Sequence, residues 1–265
     1  MVTINLGLNY NVAFLKYDEQ DRNKLMARGG GKSGKKGTGD PSVASRGLHT
    51  RVKTAKGRRL SSTRWLQRQL NDPYVQEAKR LGYRSRAAFK LIELDEKFKF
   101  LKKGLKIIDL GAAPGGWTQV AMERLGQNGH LVGIDLLEID PIAGADLIEG
   151  DFMDDDAPDR LKALINGPAD IVLSDMAASS TGHPHTDHLR IMGLLEVAAE
   201  FAVDVLAPGG TFVGKVLQGG AENDLLAQLK RNFKTVKHAK PKASRSDSAE
   251  FYLVAMGFRG EKQAT

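Results

Sequence analysis

From about Trp65 onward the chain alternates short apolar runs with helix-patterned stretches, and this alternation restricts the fold more than any other feature. The runs are Ile107-Ile108-Asp109-Leu110, Leu131-Val132-Gly133-Ile134-Asp135, Leu147-Ile148 ahead of Asp151, Ile171-Val172-Leu173-Ser174-Asp175 and Thr211-Phe212-Val213-Gly214-Lys215-Val216. Between them, 117–125, 160–165 and 188–206 read as helices. Tyr83-Arg84-Ser85-Arg86 leads into Ala88, Leu91 and Ile92, the i, i+3, i+4 spacing of an amphipathic helix. Pro208-Gly209-Gly210 stops the long helix and turns the chain into the next strand. Such alternation predicts an α/β fold, a mostly parallel sheet with helices on both faces. The chain ends differently: 222–232 reads as a helix, and 235–239 and 251–255 as two strands of an antiparallel hairpin.

Charge separates a body from an arm. Residues 27–59 hold ten Lys or Arg and one acid, Asp40, a net of +9; the whole chain is +7, so the remainder carries −2. An arm rich in Gly, Ser, Lys and Arg buries too little apolar surface to offset its ordering entropy. We therefore expect residues 1–64 to be a basic, disordered extension suited to phosphate contact, 65–259 to be the folded domain and 260–265 a short tail. Met26, directly before the arm, is a second candidate start. Gly31-Lys32-Ser33 resembles the end of a phosphate-binding loop, but that pattern needs glycine where Met26 stands. No apolar run approaches the roughly 20 residues that span a bilayer, and the first residues lack a secretory pattern, so a cytoplasmic protein is expected. The absence of cysteine excludes disulfides, thiolate zinc sites and thiol attack on a pyrimidine ring.

Asp109-Leu-Gly-Ala-Ala-Pro-Gly-Gly-Trp117 falls where the first strand turns into a helix. Glycines there admit a ligand close to the backbone and expose amides at the helix start. Asp135, nineteen positions after Gly116, ends the next strand, where an acid can bond ribose hydroxyls. A dinucleotide fingerprint would need glycine at Ala113, and Pro114 interrupts the turn. Asp151, a third acidic position, suits an adenine amino group. Together these features favour S-adenosyl-L-methionine over a nicotinamide cofactor. Lys215 is the oddest residue of the fifth strand, since burying an ammonium is costly unless it is paired or neutral. On the residues alone it is either a catalytic group or a structural, salt-bridged lysine.

The glycine turn, Tyr83-Arg84-Ser85-Arg86, Ser174-Asp175-Met176-Ala177 and Phe212-Val213-Gly214-Lys215-Val216 occur in an order that resembles the FtsJ/RrmJ-type ribosomal RNA 2′-O-methyltransferases. The resemblance spans about 71–257. It implies a Rossmann-like S-adenosylmethionine-dependent methyltransferase fold, a seven-stranded sheet with an antiparallel last strand. It implies cofactor contacts at Gly115, Trp117, Asp135, Asp151 and Asp175, and a catalytic set of Lys90, Asp175, Lys215 and Glu250 with Lys215 as base. A lysine acts as base only as the free amine, which burial and a second cation favour; Lys90 is the candidate second cation, and the two carboxylates oppose it. The expected substrate is a uridine ribose in 23S ribosomal RNA of the large ribosomal subunit, and the expected state a monomer without membrane association. A non-catalytic ribosome-assembly factor of this fold and a transfer-RNA ribose methyltransferase are the alternatives. No Asp-Pro-Pro-aromatic motif of adenine amino methylation follows the fourth strand; Met176-Ala177-Ala178 stands there.

Three further features are read as structural. His183, His185 and His188 are assigned to a surface loop and no metal is expected. Asp154-Asp155-Asp156 supplies charge and a cap to a helix start. Arg231, Lys234, Lys237, Lys240, Lys242 and Arg245 form either an extension of an RNA surface or a solvated face.

Overall fold

The structure, a computed structural model, describes residues 60–178, 181–217 and 223–260, so the disorder expected of residues 1–59 lies outside the described residues, whereas 60–64, expected to belong to the arm, are helical. Helices α1 (Leu60–Asn71), α2 (Pro73–Leu81) and α3 (Ala87–Phe98) come first. Then follow β1 (Lys106–Leu110), α4 (Gly116–Leu125), β2 (His130–Asp135), β3 (Ala145–Glu149), α5 (Ala157–Ile165) and β4 (Ala169–Ser174). The chain continues through α6 (Pro184–Val205), β5 (Leu206–Leu217), α7 (Asn223–Asn232), β6 (Phe233–Ala239) and β7 (Glu250–Phe258). The strands form one sheet in the order β3-β2-β1-β4-β5-β7-β6. Strands β1 to β5 pair in parallel, and β7 enters antiparallel between β5 and β6. This is the Rossmann-like methyltransferase sheet, with the terminal hairpin that its pattern predicts.

Period-two alternation sorts the side chains into two apolar layers. Ile108, Leu110, Val172, Phe212 and Val216 meet α5, α6 and α7 on one face. Ile107, Ile171, Leu173, Val213, Tyr252 and Val254 meet α3 and α4 on the other. The central strands are therefore buried on both sides, which is why they read as near-continuous apolar runs. Gly214 faces α6 so closely that a Cβ would lie 2.4 Å from Leu195 Cδ1. Its neighbour Lys215 points into the opposite layer, towards α3.

Helix ends follow local chemistry. Asp72 caps α2 by accepting from the Tyr74 amide, Pro73 occupies the first turn, and Gly82 ends the helix in the left-handed conformation. Helix α6 begins at Pro184, earlier than the apolar spacing suggests, so His185 and His188 are helical and His183 is its N-cap. Asp156 stands at the start of α5, but its carboxylate makes no cap hydrogen bond. It contributes charge there, 3.9 Å from Arg160. Pro208-Gly209-Gly210 does not separate α6 from the strand: β5 starts at Leu206, and the irregularity appears as a register shift against β4 between Ala169 and Ile171.

Asp109 is the one acid of β1, and it is fully buried. One oxygen accepts from Thr118 Oγ1 of α4 at 2.8 Å, and the other has no partner among the described residues. Burial pushes its pKa up to about 7; the Thr118 hydrogen bond opposes this, and the charges of Asp175 and Asp135 add to it. The unfolded chain releases this proton at an ordinary carboxyl pKa, whereas the folded protein holds it until near neutrality. The contribution to stability is complete below the unfolded pKa and is lost as pH rises towards 7. Asp109→Asn keeps an acceptor for Thr118 and removes the titration. Urea unfolding across pH 4–8 is expected to show a flatter pH dependence for the variant, with a gain of roughly 1–4 kcal/mol over the unsubstituted protein at pH 8. Parallel curves for the two proteins would refute this.

Candidate active site

The strand order reverses between β1 and β4, and the loops leaving their carboxyl ends open a crevice of the kind that binds ligands in α/β sheets. Gly111 leaves β1 with φ +79, and a Cβ there would lie 2.9 Å from the Met176 backbone. Only glycine lets the two loops approach so closely. The Ala113–Pro114 peptide is cis, and Gly115 opens α4 in the left-handed region without a side-chain cap. Asp135 ties this loop to the end of β2: its Oδ2 accepts from the Ala113 amide and its Oδ1 from the Leu137 amide, each at 3.0 Å. Burial raises its pKa against the pull of these amides. Arg84 closes the other side, donating to the carbonyls of Pro114, Asp140 and Pro141.

Beside this loop sits a buried set of charges. Asp175 follows β4 by one residue, and period two carries Lys215 of β5 to the same face. Lys215 Nζ lies 2.9 Å from Asp175 Oδ1 and donates to the Asp175 carbonyl at 2.6 Å. From α3, Lys90 Nζ reaches both oxygens of Glu250, at 2.8 and 2.9 Å, and lies 4.0 Å from Asp175 Oδ2. Both lysines are under 10% exposed. The four residues that the resemblance singles out as catalytic are thus contiguous.

A fifth member is hidden among the core aromatics. Tyr252 pairs across the sheet with Lys215, is fully buried, and donates to Asp175 Oδ1 at 2.7 Å, with Glu250 Oε1 as a second acceptor at 3.2 Å. Burial first, then the two carboxylates, hold its phenol well above the ordinary tyrosine pKa. For Asp175, burial acts upward, but Lys215 and Lys90 outweigh it and hold the carboxyl below its usual range. Ser244, in the β6–β7 loop, donates to Glu250 Oε1 at 2.8 Å. Nothing in the local pattern marks Ser244. Tyr252 shares the face of Glu250 two positions along β7, but only the register of β7 against β5 sets it beside Lys215.

The remaining candidates divide. The Trp117 indole packs on Tyr252 with ring centroids 5.5 Å apart and donates to the Ala87 carbonyl, so what this residue presents to the crevice is backbone. Asp151 lies two residues beyond β3, where its Oδ1 accepts from the Met153 amide. Exposed Leu136 and Leu137 follow Asp135, and exposed Met153 follows Asp151, giving both acids an apolar margin. Among the described residues no three His, Cys, Asp or Glu side chains converge as metal ligands, and no helix is long and apolar enough to cross a membrane. Of the basic cluster, Lys240, Lys242 and Arg245 line a groove with Arg68 and Arg86. Arg231, Lys234 and Lys237 are exposed elsewhere.

The sequence over residues 83–258 matches the FtsJ-like methyltransferase family. A protein of Paramagnetospirillum magneticum named ribosomal RNA large subunit methyltransferase E is 66% identical over 244 residues, covering 90% of this chain and 100% of that one. One of the same name from Parvibaculum lavamentivorans is 59% identical over 245 residues, covering 89% and 95% of the two chains. A solved structure from Plasmodium falciparum, described as a ribosomal RNA methyltransferase, has a TM-score of 0.60 at 37% identity, covering 68% of this chain and 100% of that one. The chain belongs to the FtsJ-like methyltransferase family.

Proposed function

We propose that this protein transfers the methyl group of S-adenosylmethionine to a ribose 2′-hydroxyl of large-subunit ribosomal RNA. The observation that carries the reading is the buried chain Lys215–Asp175–Lys90–Glu250 at the lip of the glycine loop. It occurs in a methyltransferase family whose close relatives are named for large-subunit ribosomal RNA. That partner implies work in the cytoplasm, and the basic segment 27–59 suits contact with its backbone.

The donor set fits this cofactor. Each Asp135 oxygen accepts one amide and keeps capacity for a ribose hydroxyl. Asp151 keeps Oδ2 for an amino group beside apolar Met153. The uncapped start of α4 offers its first-turn amides to a carboxylate. When bound, the cofactor supplies an electrophilic methyl group on a sulfonium centre. Lys215 is assigned the proton of the attacking hydroxyl, which is a weak nucleophile at neutral pH. The Asp175 carboxylate and carbonyl together fix the orientation of Lys215 Nζ. Lys90, paired with Glu250, supplies a second positive charge beside Asp175. Tyr252 fixes the Asp175 carboxylate that aims Lys215.

Two outcomes are expected. Asp135→Ala weakens S-adenosylmethionine binding about ten- to a hundredfold in calorimetry, the scale of hydrogen bonds to a charged group. NAD shows no binding to either protein; tight NAD binding in place of S-adenosylmethionine would end the reading. Lys215→Ala retains affinity for cofactor and RNA, and its single-turnover rate drops by roughly 10²–10⁴, the size of a general-base contribution. Lys215→Arg does not restore the rate, because a guanidinium keeps its proton. Near-normal turnover by the arginine variant would exclude a base role.

A further inference from the structure

We infer that the basic groove between the α1–α2 corner and the β6–β7 loop holds the RNA strand beside the acceptor nucleotide by its phosphates. The inference rests on the reading above, that the substrate is RNA. The groove is open to solvent and has a volume of about 680 Å³. Five cations from separate parts of the sequence converge on it: Arg68 of α1, Arg86 at the head of α3, and Lys240, Lys242 and Arg245 of the loop. Two carboxylates oppose them.

Those carboxylates have different parts. The Asp72 side chain is only 9% exposed and lies 3.1 Å from Arg86 Nε and 3.6 Å from Arg245 Nε, so one buried charge sets two guanidiniums in place. Asp247 meets Arg68 at 3.8 Å with both side chains more than half exposed, a weak pairing that an incoming phosphate displaces. Of the charged side chains that line the groove, five are cationic and two acidic, so the lining is net positive in formal charge. None of the exposed large apolar side chains among the described residues lines the groove, which disfavours a protein partner and suits a polyanion.

The groove is built into the active site. Helix α3 clamps the loop at Ala243: Arg86 donates to its carbonyl, and Glu93 accepts its N–H at 3.1 Å. The next residue, Ser244, lines the groove and bonds Glu250 of the tetrad. Arg86 also precedes Lys90 by one helical turn, so the groove and Lys90 share a face of α3. A strand seated on these cations therefore runs alongside the residues that surround the reacting hydroxyl. Phosphate contacts position a strand and carry no sequence information, so the groove acts on register and affinity.

The test is methyl transfer from radiolabelled S-adenosylmethionine to large ribosomal subunits purified from a strain deleted for this protein, using the full chain. The double variant Arg68→Glu with Lys242→Glu is expected to raise KM for subunits about tenfold or more, the effect confined to KM. Its affinity should fall less steeply with salt, by about 0.7 in the log–log slope for each single-strand phosphate that the variant leaves unneutralised. An unchanged calorimetric affinity for S-adenosylmethionine establishes that the variant is folded. Lys103→Glu, ahead of β1 at the other end of the sheet, serves as control and should match the unsubstituted protein. Variant KM and salt slope equal to those of an active unsubstituted protein overturn the groove alone. No transfer to RNA by the unsubstituted protein overturns the functional reading, and the groove with it.

Discussion

A buried carboxylate that must be neutralised organises this molecule. Asp175 sits where β4 ends inside the sheet, and an ion there is tolerated only if paired and hydrogen-bonded on every side. Lys215, Lys90 and Tyr252 meet that demand from β5, α3 and β7. The position of each of these elements is therefore felt at one carboxylate. Glu250 and Ser244 extend the requirement outward, because Lys90 would otherwise carry its charge into an apolar layer shared by Trp117 and Leu91. The same hydrogen bonds that make the charges tolerable inside the protein hold them in a fixed relation to the glycine loop. Stability and chemistry share one set of interactions.

Much of this was legible in the residues. Central parallel strands are dry on both faces, so Ile107, Ile171 and Phe212 announce themselves, and a lysine or an aspartate in such a run stands out. The terminal hairpin was legible too, from two strand patterns too close for a crossover. What escaped belonged to pairings between distant segments. Tyr252 looks like any core aromatic until β7 is set against β5 in register. Ser244 lies in a loop with no period to read. Trp117, Val120, Ala121 and Leu125 follow helical spacing, which turns the indole towards the sheet.

Local rules also gave way to tertiary ones at two helix starts. Three consecutive aspartates promise a side-chain cap for α5, yet Asp156 takes a helical conformation and the cap bond is not made. At α6 the histidines read as a loop, but Pro184 is pre-set for the first turn and the helix extends back to it. In both cases residue types were right and backbone conformation decided the outcome.

The insertion of β7 between β5 and β6 divides the site by sequence distance. The glycine loop is assembled from β1, α4 and β2, neighbours in sequence with low closure cost. The lysine–carboxylate chain instead joins Lys90 of α3 to Glu250 of β7, 160 residues apart. The cradle for a small ligand is therefore a local assembly, whereas the charged chain beside it depends on the sheet being closed up as far as β7.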